Sequence, residues 1–206
     1  THEQFPASLK EVRQHGSFSF PCAFYQAEHD NNPPGFPYIV KHHWHEQIEI
    51  IYLEQDSYQV DINMTVTHVK SPCFCFINSG ELHALSSDSE KYLEQAVVFS
   101  ADMLAFSVPD PVQEEFLLPL SEQKLSFTSF LGYEHPAFNE VQQEFLKIRS
   151  TFRKENRICM DQLTIENPVS QLRSKAALLN ILAILSEHGF LTSNEPAHNP
   201  RVELLK

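Results

Sequence analysis

The sequence predicts a mainly β chain that ends in two α-helices. Three observations carry that class. Apolar and polar residues alternate with a period of two through the first half. Turn signals interrupt that alternation about every eight to twelve residues, as in an all-β sandwich or barrel. Beyond residue 136 the apolar spacing changes to steps of three and four, the period of a helix with one buried stripe.

The strands follow in order. Phe18, Phe20, Cys22 and Phe24 alternate with Ser17, Ser19, Pro21 and Ala23, so a strand is expected from residue 17. "NNPPGFP" (31–37) is a loop by turn chemistry. Residues 38–53 are expected as one extended stretch. Tyr58, Val60 and Ile62 form the next strand, with Asn63 able to take the positive φ of a hairpin turn and Val66 and Val69 on the return. "CFCFI" (73–77) is a short apolar strand before a turn at Asn78–Gly80, and "YLEQAVVF" (92–99) is another. Cys73 and Cys75 share a strand face and, with Cys22 and Cys159, read as small buried hydrophobes in a reducing cytosol.

Phe138, Val141, Phe145, Ile148 and Phe152 mark the first helix, with Pro136 in its first turn. Asn167 and Pro168 supply the cap and first position of the second, which contains "AALLNILAIL" (176–185) and ends near Gly189. This helix is apolar nearly all round. Its surplus needs the other helix or a second subunit, and a homodimer contact through Leu172, Ala176, Leu179, Leu182 and Ala183 is expected. The polar stretch 192–200 reads as a linker. "RVELLK" (201–206), after Asn199 and Pro200, reads as the start of a helix belonging to a further domain.

Net charge is −12 over 206 residues, so this chain alone is a poor ligand for nucleic acid. No apolar run approaches the roughly 20 residues of a membrane span, and a cytoplasmic location is expected.

The chemistry concentrates in "HHWHEQIEIIY" (42–52). On one strand, His43, His45 and Glu49 point to one side with Ile51 and Leu53, while Trp44, Ile48, Ile50 and Tyr52 point to the other. Both faces are largely apolar beyond residue 47, Glu49 apart, as in a strand buried on both sides. Imidazoles at 43 and 45 stand about 7 Å apart at Cβ and can converge on a metal. His83, after the turn in "FINSGELHAL", is the candidate fourth group. His42 is expected at the surface, and Glu81 in a plain turn role.

H-x-H-x3-E followed by a strand, a hairpin and G-E-L-H resembles the two motifs of the cupin family. That resemblance implies a cupin-type antiparallel β-barrel (double-stranded β-helix). It also implies a metal site of His43, His45, Glu49 and His83, for a divalent ion such as Zn, Ni, Fe or Mn. A bound metal, direct contacts to an organic ligand and a hydrogen-bonded polar cluster stay open as three readings of these side chains. The family has Gly where this chain has Asp56, a residue that also tolerates the left-handed region. It has Pro and Asn where this chain has Asn78 and Ser87.

"HWHEQIEIIYL", "FCFINSGELHAL", "AVVFSADML" and "LLNILAIL", in that order, resemble the amino-terminal domain of AraC-type transcription regulators. The resemblance implies a barrel over 1–132 with an amino-terminal arm, a helical dimerisation segment over 133–191, and a linker over 192–206 leading to an absent DNA-binding domain. It implies a small-molecule effector, possible as a sugar in the barrel, and sensing rather than catalysis. With no acid–base pair or nucleophile pattern in view, the chain is expected not to be an enzyme. A small metal-dependent cupin enzyme, a dioxygenase or isomerase, is the alternative.

Overall fold

The strand that opens the fold begins later than its sequence pattern suggests. In the computed structural model, which describes residues 5–28, 37–89, 91–152 and 162–194, strand β1 spans Cys22–Glu28. Residues 17–21 are bent, Phe20 is buried and Phe18 is 99% exposed. The cause is Gly16, at φ +73°, where an added Cβ would lie 2.5 Å from the backbone nitrogen of Cys22. The chain folds back on itself there before it can extend.

The other strands are β2 (Tyr38–His43), β3 (Ile48–Leu53), β4 (Ser57–Ile62), β5 (Thr65–Lys70), β6 (Cys73–Ile77), β7 (His83–Ser87), β8 (Leu93–Phe99), β9 (Leu125–Phe127), β10 (Phe130–Gly132) and β11 (Leu191–Ser193). The helices are α1 (Leu118–Ser121), α2 (Ala137–Thr151) and α3 (Pro168–Glu187). One antiparallel sheet has the order β1-β8-β3-β6-β10 and a second the order β2-β7-β4-β5. The two sheets face each other around a shared core that includes Tyr25, Leu53 and Cys75 from the first and Tyr38, Val60 and Leu85 from the second. A third, two-stranded sheet pairs β11 with β9, and strand pairing among the described residues leaves the two large sheets as separate antiparallel layers rather than a closed barrel.

Residues 38–53 are therefore not one extended stretch. β2 pairs with β7 in one sheet, β3 pairs with β6 and β8 in the other, and the chain crosses between them at 44–47. Beyond the crossing, β3 behaves as its composition demands. Ile48, Ile50 and Tyr52 enter one core with Phe74, Phe145 and Leu178, while Ile51 and Leu53 enter the core between the sheets. Burying each such side chain contributes roughly 1.5–3 kcal/mol.

The hairpin β4–β5 turns on Asn63 (φ 52°) and Met64 (φ 65°), and Asp56 sits at φ 61°. Cys22, Cys73 and Cys75 are free and buried. Burial pushes the Cys73 thiol up to about 11, which suits inert packing. Cys159 lies outside the described residues, as do the loop 31–36 and residues 195–206, with the helix start expected there.

Helix α2 buries Phe138, Val141, Phe145 and Ile148 against the outer face of the first sheet. Helix α3 starts on Asn167, whose side chain accepts from the N–H groups of Val169 (2.8 Å) and Ser170 (3.3 Å). It ends at Gly189, φ +73°. Of the residues expected to meet a second subunit, Leu172 is 67% exposed, Ala176 and Ala183 are exposed, and Leu179 is half-buried. Leu182 is 6% exposed and belongs to the chain's own core, because its turn of α3 faces the first sheet and α2. Residues 191–193, of which 192 and 193 were expected in the linker and 191 in the helical segment, form β11 on β9. Short strands of three residues leave no readable period, which is why β9, β10 and β11 were not expected.

Candidate metal centre

His43 ends β2, His83 begins β7, and the two are paired directly across the sheet. His45 lies on the crossing and Glu49 is the second residue of β3. One donor atom from each of His43, His45 and His83 lies within 4.8 Å of the others. Glu49 Oε2 lies 3.4 Å from His45 Nε2 and 3.2 Å from His83 Nε2. The four side chains singled out in the sequence thus stand together at one end of the inter-sheet core. The single-strand geometry behind that expectation was wrong; cross-strand pairing and the corner bring them together instead.

The hydrogen bonds fix which nitrogens face inward. Nδ1 of His43 donates to the carbonyl of Lys41 (2.8 Å), that of His45 to Gln47 (3.0 Å) and that of His83 to Glu81 (2.9 Å). A carbonyl only accepts, so each Nδ1 carries a proton and each neutral ring turns its Nε2 lone pair toward the cluster. This is the tautomer and the carbonyl support that metal-ligating imidazoles have. The Nε2 of His83 is buried without a hydrogen-bond partner. Glu49, ionised, is also only an acceptor. Acceptors gathered against acceptors call for a positive charge at their centre, either protons on the rings or a cation. The residues therefore fit a divalent metal, with three nitrogens and one carboxylate as its donors.

The ionisation behaviour agrees. Burial alone would raise the Glu49 carboxyl, but His45 and His83 beside it, when protonated, hold it well below the usual carboxylate range. Burial would lower His83, and Glu49 raises it. His43 is lowered by burial and by His83 beside it.

Around the cluster the expectations divide. His42 faces out and meets Asp61 at 2.8 Å. Glu81 accepts from the N–H of Asn78 (2.8 Å), which is the plain turn role. Trp44 points away from the inter-sheet core and carries the Lys10 ammonium 5.0 Å from its ring centre. Three residues escaped the sequence reading: Glu11 and His15, which reach the cluster from the amino-terminal segment, and Glu94, buried between the sheets. Glu11 and His15 stand four apart, a faint signal inside a segment with no period. Glu94 sits on the interior face with Ala96 and Val98, where a period-two reading could have flagged a buried carboxyl.

A cleft of about 1020 Å³ opens on the other side of Trp44, lined also by Phe5, Asn63, Glu81, Gln123 and Asn194. No helix among the described residues is long and apolar enough to cross a membrane.

No family model matches the chain, and no curated protein matches it. Among solved structures, it is similar to a predicted oxalate decarboxylase from Thermotoga maritima, at 27% identity over 38% of this chain and 64% of that one, with a TM-score of 0.31. Oxalate decarboxylase of Bacillus subtilis, in a structure titled for its Mn(II) centres, matches at 22% identity over 38% of this chain and 21% of that one, TM-score 0.32. ToxT from Vibrio cholerae, of the AraC family, matches at 10% identity over 87% of this chain and 61% of that one, TM-score 0.44. The matched region is thus less than two thirds of each of these proteins. The expectation that the chain is not an enzyme is corrected here: proteins titled as decarboxylases, which are enzymes, stand among its structural neighbours.

Proposed function

We propose that this chain is the effector-sensing and dimerisation part of an AraC-type transcription regulator, and that it holds a divalent cation on His43, His45, Glu49 and His83. The observation that carries the reading is the inward-facing triad of Nε2 atoms around an ionised carboxylate. The order of the sequence motifs supports the regulator class. So do the two sheets backed by α2 and α3, and the exposed apolar stripe of Leu172, Ala176 and Ala183 on α3.

The effector is a small polar molecule, with a sugar as the first candidate. The cleft beside Trp44 suits one: an indole face, amides at Asn63 and Asn194, and a carboxylate at Glu81. Phe5 and Ala7 line the same cleft, so a molecule bound there touches the amino-terminal segment. A ligand that favours one placement of that segment shifts its population. In a regulator of this type contact with DNA belongs to a separate domain, and its work is cytoplasmic.

Two measurements test the reading. Elemental analysis after gentle purification is expected to find close to one divalent metal per chain, and His45→Ala to lose it; a metal-free protein indifferent to His45→Ala removes the cation. Leu172→Glu is expected to halve the mass in sedimentation; an unchanged mass removes the α3 contact.

A second reading is metal-assisted catalysis, favoured by the same donor set, which leaves coordination positions for a substrate. Its assay is formate and CO₂ release from oxalate by the Mn(II)-loaded chain. Turnover abolished by Glu49→Gln would establish this reading.

A further inference from the structure

A second cluster of donors adjoins the first, built from a segment that the four-residue site does not use. One donor atom from each of Glu11, His15 and His45 lies within 4.8 Å of the other two. Glu11 Oε2 stands 3.2 Å from His15 Nε2 and 3.9 Å from His43 Nε2. His15 is 4% exposed, and its Nε2, though near Glu11, has no hydrogen-bond partner. An imidazole nitrogen is thus buried, unpartnered and aimed at the corner. Its other nitrogen is held at 2.7 Å by the Tyr25 hydroxyl, which donates in turn to Gln162 (3.2 Å).

The backbone accounts for the placement. Trp44, between His43 and His45, donates its N–H to the carbonyl of Leu9 (3.0 Å), and Glu11 donates its N–H to the carbonyl of Trp44 (2.9 Å). The amino-terminal segment therefore runs as a short parallel partner of the crossing itself. Lys10 fastens it further, over the Trp44 ring and in an ion pair with Glu46. At the far end, Gly16 donates its N–H to Gln162 (3.0 Å). Glu11 is delivered to the edge of the triad with its carboxylate facing two imidazoles. Burial would raise this carboxyl; His15, His43 and His45 beside it lower it instead.

His45 can offer only one nitrogen inward, because Nδ1 is spent on Gln47. The two clusters therefore share one cation rather than holding two. We propose that Glu11 is a further ligand of the ion at the His43–His45–His83 corner, oriented by His15, so that binding a divalent cation locks the amino-terminal segment onto the crossing. This rests on reading the corner as a cation site. It turns that site into a latch: the ion grips residues from two sheets and from the segment that also lines the neighbouring cleft.

The test uses the whole chain with MnCl₂ and ZnCl₂ as probes. Calorimetry gives the affinity, and tryptic cleavage after the exposed Lys10 and Arg13 reports whether the segment is docked. The ion is expected to slow that cleavage on the order of 10-fold in the wild type, as local opening is suppressed. Glu11→Gln and His15→Gln are expected to weaken affinity on the order of 10- to 100-fold and to cancel the protection. Glu11→Asp, which keeps the charge, is expected to recover part of both; that recovery separates lost ligation from lost folding. Equal affinity and equal protection in the wild type, Glu11→Gln and His15→Gln overturn the latch and leave the four-residue site standing. A wild type that takes up neither ion overturns both.

Discussion

Glu94 gives the most quantitative handle on this fold. It is 5% exposed, lies on the interior face of β8 and, among the described residues, has the Tyr38 hydroxyl at 3.2 Å as its hydrogen-bond partner. Burial, then the negative charge of Glu49, pushes its carboxyl up to about 8 from the ordinary 4.5, and the Tyr38 hydroxyl offsets a little of this. The folded protein at pH 7 therefore holds Glu94 neutral, while the unfolded chain ionises it. Folding takes up a proton between pH 4.5 and about 8, so stability is lost as pH rises through that window. Each pH unit above the unfolded value costs about 1.4 kcal/mol, which comes to about 3 kcal/mol at pH 7. Glu94→Gln keeps the shape and cannot ionise. It is expected to stabilise the protein by about 3 kcal/mol at pH 7, or roughly 6–12 °C in melting temperature for a chain of this size. The gain is expected to shrink to under about 1 kcal/mol at pH 5. Urea denaturation at pH 5, 7 and 8.5 measures it. Parallel stability curves for the wild type and Glu94→Gln across that range would refute the reasoning, because the carboxyl would then ionise inside the fold without penalty.

Two further substitutions probe the scaffold that positions the site. Gly16→Ala places a methyl 2.5 Å from the backbone of Phe20 and Cys22 at a left-handed φ, and is expected to cost about 2 kcal/mol or more in thermal denaturation and to release the amino-terminal segment to trypsin. Asn167→Ala removes the acceptor for two N–H groups at the start of α3 and is expected to cost about 1 kcal/mol, read by chemical denaturation.

The parts of the fold that were legible in the sequence are those where burial writes a period. β3 shows both faces, and both of its apolar sets enter the cores the alternation assigned them. The stripe of α2 and the cap of α3 were equally plain, because each is a local rule satisfied by local residues. The crossing at 44–47 was not legible. Nothing within 38–53 says that Val40 and Ile50 pair with different strands, since register across sheets is set by partners far along the chain. His43, His45, Glu49 and His83 were found because ligand-type residues stood at matching parity. Glu11 and His15 were not, because what brings them in is a backbone bridge between Lys10 and Trp44 that no side-chain pattern announces.

The density of titratable groups at the head of β3 has a physical reason in that crossing. A chain passing between two sheets leaves the ladder of each, and its backbone polar groups need partners. Here the amino-terminal segment and the 78–81 turn supply them: Leu9 takes the N–H of Trp44, and the carbonyl of His45 takes the N–H of Gly80. The imidazoles of the corner serve the backbone too, each through Nδ1, and this turns their Nε2 atoms inward as a set of acceptors that is unfavourable until something positive joins it. At low pH protons on His43 and His83 serve. As pH rises those protons leave, and a divalent cation becomes the remaining way to satisfy Glu49. Protons and metal compete for the same lone pairs, so metal affinity is expected to strengthen from pH 5.5 to 7.5. The rise in melting temperature on adding Mn(II) is expected to grow over the same range, following the ratio of free ion to dissociation constant. Calorimetry and melting at three pH values check both. An affinity that does not change with pH would mean that the bound ion sits on carboxylates at the surface, and that the three imidazoles of the corner take no part in holding it.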